Sequence, residues 1–420
     1  MEEEEVWEQR PYTRVYATVD LDAVEDNVKA MKAGLSENTS VMAVVKADGY
    51  GHGAVPVAKA VEPYVAMYGT ATLEEALDLQ RHGITKPVLV LGVTHKRQYE
   101  QLVRQQIRPA VFSREQAKGL SETAVRLGTA VYVHLALDTG MSRIGMSPTE
   151  ESADLVIAMS QMPGICLEGL FTHFARADER DKGPTFRQMD QYLGFVKMLE
   201  DRGIPIPVRH ISNSAAIVDM READFDMARA GISLYGMYAS DQVERENVAL
   251  RPAMELKSCI ACMRDIGPGT PVSYGGAFVA DKPMRVATIP VGYGDGYPRN
   301  LSGKGRVLIR GKSAPILGRI CMDQMMVDVT GILNAREDDP VTLIGRDGSQ
   351  EITVEELARL GGGFHYEIVC NLGKRIPRIY TRGGKAVGKK DHFSDWYEDF
   401  CHKPGTGGEK KEYNDHSRHE

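Results

Sequence analysis

The sequence predicts an α/β protein, an N-terminal (β/α)8 TIM barrel followed by a C-terminal mainly-β domain. Three observations carry this. From residue 14 to about 240, short runs rich in Val, Ile, Leu and Ala alternate with amphipathic stretches, and the runs are apolar on both faces as buried parallel strands are. After about residue 245 this alternation gives way to strands separated by Gly, Pro and Asp turns. The conspicuous polar residues of the first part fall where barrel strands would end, the face on which such barrels build their sites.

The strand-like runs are VMAVV at 41–45, VAMYG at 65–69, PVLVLG at 87–92 and RPAVFS at 108–113. AVYVHLALD at 130–138, CLEGLFTHF at 166–174, VRHIS at 208–212 and FDMARA at 225–230 complete a set of eight. Between them lie helical stretches such as TLEEALDLQRHG at 72–83 and SREQAKGLSETAVRLG at 113–128, each ending in the Gly that commonly stops a helix. RVYATVDLD at 14–22 is a ninth strand, one more than a barrel takes, and belongs either to the start of the barrel or to the other domain. In the second half only TVEELARLG at 353–361 reads as a helix. The domain bounds are therefore 12–244 for the barrel, 245–385 for the β domain and 386–420 for a polar, mobile tail in which DWYEDF at 395–400 is the one docking segment.

The 420 residues are 42% hydrophobic and 26% charged, enough for two domains with a large core. A net charge of −7 gives no electrostatic reason to bind nucleic acid or anionic lipid, so the expected partner is a small molecule. No run approaches the roughly 18 apolar residues of a membrane span. The acidic start MEEEEVWEQR is no signal peptide, and a cytoplasmic protein is expected. Six irregularly spaced cysteines make no disulfide framework. The CxxC of Cys259 and Cys262 lacks a second pair, and without a tight ligand cluster no metal site is expected. GRVLIRGKS at 305–313 resembles a phosphate loop but has the wrong glycine spacing and no helix after it, so nucleotide binding there is rejected.

Chemistry points elsewhere. Lys46 closes an apolar strand and is followed by ADGYGHGA, whose Gly49, Gly51 and Gly53 let backbone approach a ligand, with Tyr50 and His52 as donors. A strand-end lysine beside such a loop suggests a Schiff-base site for a phosphate-bearing cofactor. Arg143 in DTGMSRIG, His173 in LFTHF, and Asn213, Ser214 and Arg229 through Gly231 follow other strands. In a barrel they meet at one face, where late loops and a helix N-terminus commonly hold phosphate.

With AVVKADGYGHGA, DTGMSRIG, FTHFARAD, SNSAA, RAGISLYG, VSYGG, IPVGYGDGYPR, GRICMDQMMVDV and YEIVCNLGKRIPR, the chain resembles the pyridoxal-phosphate-dependent alanine racemases over residues 12 to 383. The resemblance implies a barrel plus a β domain, a homodimer with shared sites, and racemisation of L- and D-alanine with pyridoxal 5'-phosphate. It makes Lys46 the Schiff-base lysine and the base for D-alanine, and Tyr274 of the other subunit the opposing base. Arg229 is implied at the pyridine nitrogen with His210 and His173 near it. Tyr50, Ser214, Gly231, Ile232 and Tyr366 match phosphate-binding positions, with Asn213 beside them. Arg143 and the Met322 backbone are implied for the substrate carboxylate, and Tyr293 and Asp323 for the narrow entrance. The D-alanine supplies peptidoglycan synthesis. Lysine and tyrosine, with ordinary pKa values of about 10.4 and about 10, need desolvation and neighbouring positive charge to act as bases near neutrality.

One position departs from the family pattern. Many members carry a carbamylated lysine where this chain has Ala136, so Arg143 lacks that anionic neighbour. Chloride or another anion replaces it, or the substrate alone holds Arg143. Two rivals remain at this level: the same reaction on serine or basic amino acids, and a cofactor-binding protein without turnover. Tyr366 argues for a small pocket, and the retained β domain argues against the non-catalytic reading.

Overall fold

The computed structural model describes residues 14–392 and the backbone of 396–397. Eight parallel strands are β2 Ser40–Val44, β3 Met67–Thr70, β4 Val88–Val90, β5 Arg108–Val111, β6 Val131–Ala136, β7 Ile165–Phe171, β8 Val208–His210 and β9 Met227–Ala230. They lie in the order β8-β7-β6-β5-β4-β3-β2-β9. The seam between β8 and β9 is drawn together by backbone bonds from Asp226 N–H to the Arg209 carbonyl, 3.1 Å, and from Arg229 N–H to the Ser212 carbonyl, 3.2 Å. The result is the near-closed barrel that the eight apolar runs predict.

The surrounding helices begin at side-chain caps and several end at glycine. Thr72 Oγ1 accepts from Glu75 N–H at the head of Leu73–Arg81, and Ser113 caps Arg114–Leu127, which Gly128 ends in the left-handed conformation. Their apolar stripes, such as Leu73, Ala76 and Leu79, are buried.

The ninth strand, β1 Val15–Asp20, belongs to the other domain. It lies between β10 Met254–Cys259, antiparallel, and the strand Arg378–Arg382, parallel. A bound at residue 12 therefore assigns to the barrel a strand that the β domain owns, because a barrel closed by eight strands has no free edge for it. Twelve strands form the β-domain sheet among the described residues. In this sheet GRVLIRGKS is a hairpin, Arg306–Ile309 and Lys312–Leu317, turned at Arg310 and Gly311 with φ of 51° and 71°.

Two expectations need correction. A second helix, His365–Asn371, follows Val354–Gly361. It is barely two turns long, too short for periodicity to declare it, and it is held by burial of His365, Ile368 and Val369. The sheet also continues past residue 385: Lys385–Lys390 pairs with Arg378–Arg382, and the backbone of Trp396–Tyr397 pairs with Lys389 and Gly388. The polar composition of this stretch hid it, since an exposed sheet edge supplies backbone partners that composition does not register. Apart from Asp391 and His392, the remainder of the tail, including the other residues of DWYEDF, lies outside the described residues.

The two domains share contacts directly beneath the barrel mouth. Buried Arg378 donates to the Gly51 carbonyl at 3.0 Å and to the carbonyls of Leu372, Gly373 and Ile376. Lys390 reaches Asp48 at 2.7 Å, and His365 Nε2 lies 2.8 Å from the Tyr238 carbonyl.

Candidate active site

Lys46 leaves β2 into a left-handed turn. Ala47, Asp48, Gly49 and Tyr50 have φ of 52°, 51°, 62° and 50°. Three of these are not glycine, and each such residue costs about 1–2 kcal/mol. The cost is offset by dense pairing. Glu75 accepts from Ala47 N–H at 2.7 Å and from Ala71 N–H at 2.8 Å, and Asp48 accepts from Ala54 N–H at 2.9 Å. Gly49 and Gly51 N–H groups return to the carbonyls of Val45 and Ala47. Gly51 allows the close approach of the β domain: a Cβ there would stand 2.0 Å from the Val369 carbonyl oxygen. The turn aims Lys46 into the mouth, where burial and then the charge of Arg143 push its pKa down, against the opposing pull of Glu75.

Arg229 lies in the barrel interior at 4% exposure. Its guanidinium donates to the carbonyls of His210, Thr172 and Ile211 at 2.7, 2.8 and 3.2 Å. It also meets His210 Nδ1 and His173 Nδ1, each at 3.2 Å. No carboxylate pairs with it among the described residues. Burial lowers its pKa to about 10, so it stays charged near neutrality, while burial and then Arg229 lower His173 to about 3.

A polar cradle adjoins this cluster. Ser214 Oγ accepts from Gly231 N–H at 3.0 Å and from Ser233 N–H at 3.3 Å, which leaves its own hydrogen to donate outward. A Cβ on Gly231 would stand 3.1 Å from the Tyr50 hydroxyl and 3.3 Å from Ser214 Oγ, so glycine keeps the space between them open. Tyr366 joins from the β-domain helix, its ring centroid 6.1 Å from that of Tyr50 and stacked on Phe364 at 4.4 Å. Ile232 follows Gly231 in this loop, its side chain buried at 1% exposure. Asn213 is otherwise engaged: its Oδ1 caps the helix Ser214–Asp219 by accepting from Ala216 N–H at 3.1 Å. These parts match a phosphate-bearing pyridine aldehyde, with a desolvated amine to hold it covalently, hydroxyl donors for the phosphate and a buried cation for the ring.

Arg143 is exposed at a cleft beside Phe112, Asp138 and Ile144, and makes no hydrogen bond or ion pair among the described residues. Ala136, 1% exposed, sits in an apolar cluster with Ala110, Phe171, Leu91, Phe112 and Ile144.

The remaining predicted residues gather in a second group on the β domain. Tyr274 opens a short turn after Ser273, whose hydroxyl bonds to the Arg319 carbonyl. Tyr293 N–H and Gly294 N–H donate to the carbonyls of Cys321 and Met322 at 3.1 and 2.8 Å. Asp323 pairs with Arg375 at 2.9 Å, and Arg375 reaches buried Asp295 at 3.0 Å. Tyr274, Met322 and Tyr293 are 66%, 53% and 40% exposed. Within one chain, no hydrogen bond or ring contact among the described residues joins this group to Lys46.

Comparison with known proteins decides the family. The family models for the N-terminal and C-terminal domains of alanine racemase match residues 19–239 and 253–380. The chain belongs to the alanine racemase family. An alanine racemase of Clostridium perfringens is 41% identical over 374 residues, covering 89% of this chain and 97% of that protein. The alanine racemase of Clostridium difficile 630 superposes with a TM-score of 0.89 at 38% identity, covering 92% of this chain and all of the other. That of Bacillus anthracis, solved with bound L-Ala-P, gives a TM-score of 0.86 at 33% identity, covering 91% and 99%. The protein is thus an isomerase of the alanine racemase family, with the family's barrel and β domain in full.

Sequence reasoning missed Glu75 and Arg378, which brace the lysine turn from two sides. Glu75 carries a readable signal, since it stands three residues after the helix cap Thr72 in a capping-box arrangement. Its carboxylate turns to Ala47 and Ala71 instead, a choice only the packed loops reveal.

Proposed function

We propose that the protein interconverts L- and D-alanine with pyridoxal 5'-phosphate held at the barrel mouth, acting as a homodimer in which Tyr274 completes the partner's site. The observation that carries this is Lys46, a desolvated strand-end lysine whose pKa is lowered by burial and by the charges of Arg143 and Arg229, in the same barrel as the Ser214–Gly231 cradle. When bound, the cofactor supplies the electron sink that makes an α-proton removable. Lys46 holds it and moves the proton on one face. Tyr50, Ser214, Tyr366 and the Gly231 and Ile232 backbone bind the phosphate. Arg229 donates to the ring nitrogen without giving up a proton, and Arg143 with the Met322 backbone orients the carboxylate. Tyr293 and Asp323 border the entrance. Tyr274 serves the opposite face, and its exposure in one chain supports a shared site. D-Alanine made in the cytoplasm then feeds peptidoglycan synthesis.

The apolar surroundings of Ala136 offer chloride one cation and little else, which favours Arg143 being held by substrate. Replacing chloride with gluconate should leave KM for alanine unchanged; a KM rising several-fold would instead support an anion site beside Arg143.

The central test is loss of optical purity and α-deuteration of alanine in deuterated buffer, with serine, lysine and arginine in parallel. Fast racemisation of alanine alone is expected, with none from Lys46→Ala or Tyr274→Phe. Mixing these two inactive variants should restore activity. No recovery despite verified subunit exchange would sink the shared site, and equal turnover of serine or lysine would sink the alanine assignment.

A further inference from the structure

A chain of side-chain hydrogen bonds runs from Arg229 through the barrel interior toward the opposite end of the strands. His210 Nδ1 lies 3.2 Å from Arg229 Nη1, His210 Nε2 lies 2.8 Å from His134 Nδ1, and His134 Nε2 lies 3.1 Å from Glu168 Oε2. Arg108 closes the chain, donating to the two Glu168 oxygens at 3.0 and 3.3 Å. His134 and His210 are fully buried.

The backbone is built for this contact. The pairing of β6 with β7 runs Val133 to Leu167 and then His134 to Gly169, so Glu168 is the extra residue of a bulge. Bulges re-aim side chains, and this one turns Glu168 to His134. Gly169 is required beside it, because a Cβ there would stand 2.4 Å from His134 Nδ1. The ring of His210 also stacks on Phe171 at 5.2 Å, which fixes its plane.

Proton bookkeeping gives the chain one direction. An arginine only donates and a carboxylate only accepts, so with both ends of the chain in place His210 Nδ1 accepts. A neutral His210 then carries its proton on Nε2 and donates to His134 Nδ1, and His134 must carry its own on Nε2, toward Glu168. A cationic His134 would set two N–H groups against each other. Burial first, and then neighbouring charge, keeps His210 well below its ordinary pKa; burial also lowers His134, against the pull of Glu168. Burial works to raise Glu168, yet hydrogen bonds from His134 and Arg108 bring it to about 2, so it is an anion throughout.

We infer that Glu168 is a positioning residue for the reaction: through His134 and His210 it fixes which nitrogen of His210 is bare and thereby holds Arg229 toward the cofactor. Without an acceptor at 168 the chain can reverse, placing a His210 Nδ1–H against an Arg229 N–H. The inference rests on Arg229 being the ring-nitrogen partner proposed above.

The test is nitrogen-15 NMR of histidine tautomers in the full-length protein, with and without pyridoxal phosphate, beside cofactor absorbance and kinetics. Wild type and Glu168→Gln, which keeps a carbonyl acceptor, should show His134 and His210 protonated on Nε2. Glu168→Leu should move His210 to the Nδ1–H form, shift the cofactor absorbance, and lower kcat about 10- to 100-fold with little change in KM. Should Glu168→Leu fail to fold, the wild-type tautomers still decide, since an Nδ1–H on either histidine overturns the inference. Unchanged tautomers in a folded Glu168→Leu also overturn it, as does a tautomer change that leaves absorbance and kcat where they were. Failure of the proposed function would show separately, as a wild-type protein with no cofactor absorbance while the tautomers still report on the relay.

Discussion

Ser214 shows how one side chain serves both fold and chemistry. Its oxygen is the acceptor for two buried N–H groups, those of Gly231 and Ser233, while its hydrogen remains for a ligand. Ser214→Ala should strand both N–H groups in the cofactor-free protein at a cost of about 1–3 kcal/mol, and weaken cofactor binding as well. Thermal unfolding of the cofactor-free variant and a fluorescence titration check the two halves; an unchanged Tm would mean that other acceptors take over. At this scale the sequence singles out Lys46, Arg143 and Arg229 as candidates by residue type and nearness to the ends of strands. It was not legible for Asn213, whose place beside Ser214 suggested cofactor binding but whose oxygen caps the helix Ser214–Asp219. A cap and a ligand contact call for the same residue type in the same loop, and only the direction of the side chain separates them.

The element that matters most is the left-handed turn after β2. Glu75 ties it to the next βα loop by accepting from Ala47 and Ala71 together. Glu75→Gln keeps the shape but turns one acceptor into a donor facing an N–H, so a loss of about 1–3 kcal/mol is expected. Because Lys46 begins this turn, kcat should fall with it. Urea unfolding and steady-state kinetics on the variant test both, and full activity with full stability would show that the turn holds itself. The glycines of ADGYGHGA announce unusual backbone, but nothing in their spacing says that Ala47, Asp48 and Tyr50 adopt the left-handed region too. The same limit explains the helix His365–Asn371, which carries Tyr366: two turns contain too few residues for a period, and its stability comes from what it is packed against.

For the whole molecule, the buried histidines set the acid limit. Burial lowers His52 to about 4 and His173 to about 3, and holds His134 and His210 below the ordinary value as well. Below an unfolded pKa of about 6.5 the unfolded chain takes up protons that the native protein refuses, so stability falls as pH drops from there toward 4. Each histidine contributes a slope of at most about 1.4 kcal/mol per pH unit in that window. Tm should therefore decline between pH 6.5 and 5, and His52→Gln should flatten the decline; a Tm level across that range would count against neutral native histidines. Sequence alone determined the barrel and the β domain and marked the candidate site residues, because strand patterning and residue chemistry are local properties written in neighbouring positions. Tertiary structure decided that β1 joins the second sheet, that the sheet runs on past residue 385, that Arg378 and Glu75 brace the lysine turn, and that Glu168 reaches Arg229 through two histidines. Each of these depends on which distant backbone or side chain supplies a partner for a buried polar group, and that partner is set by packing rather than by position in the chain.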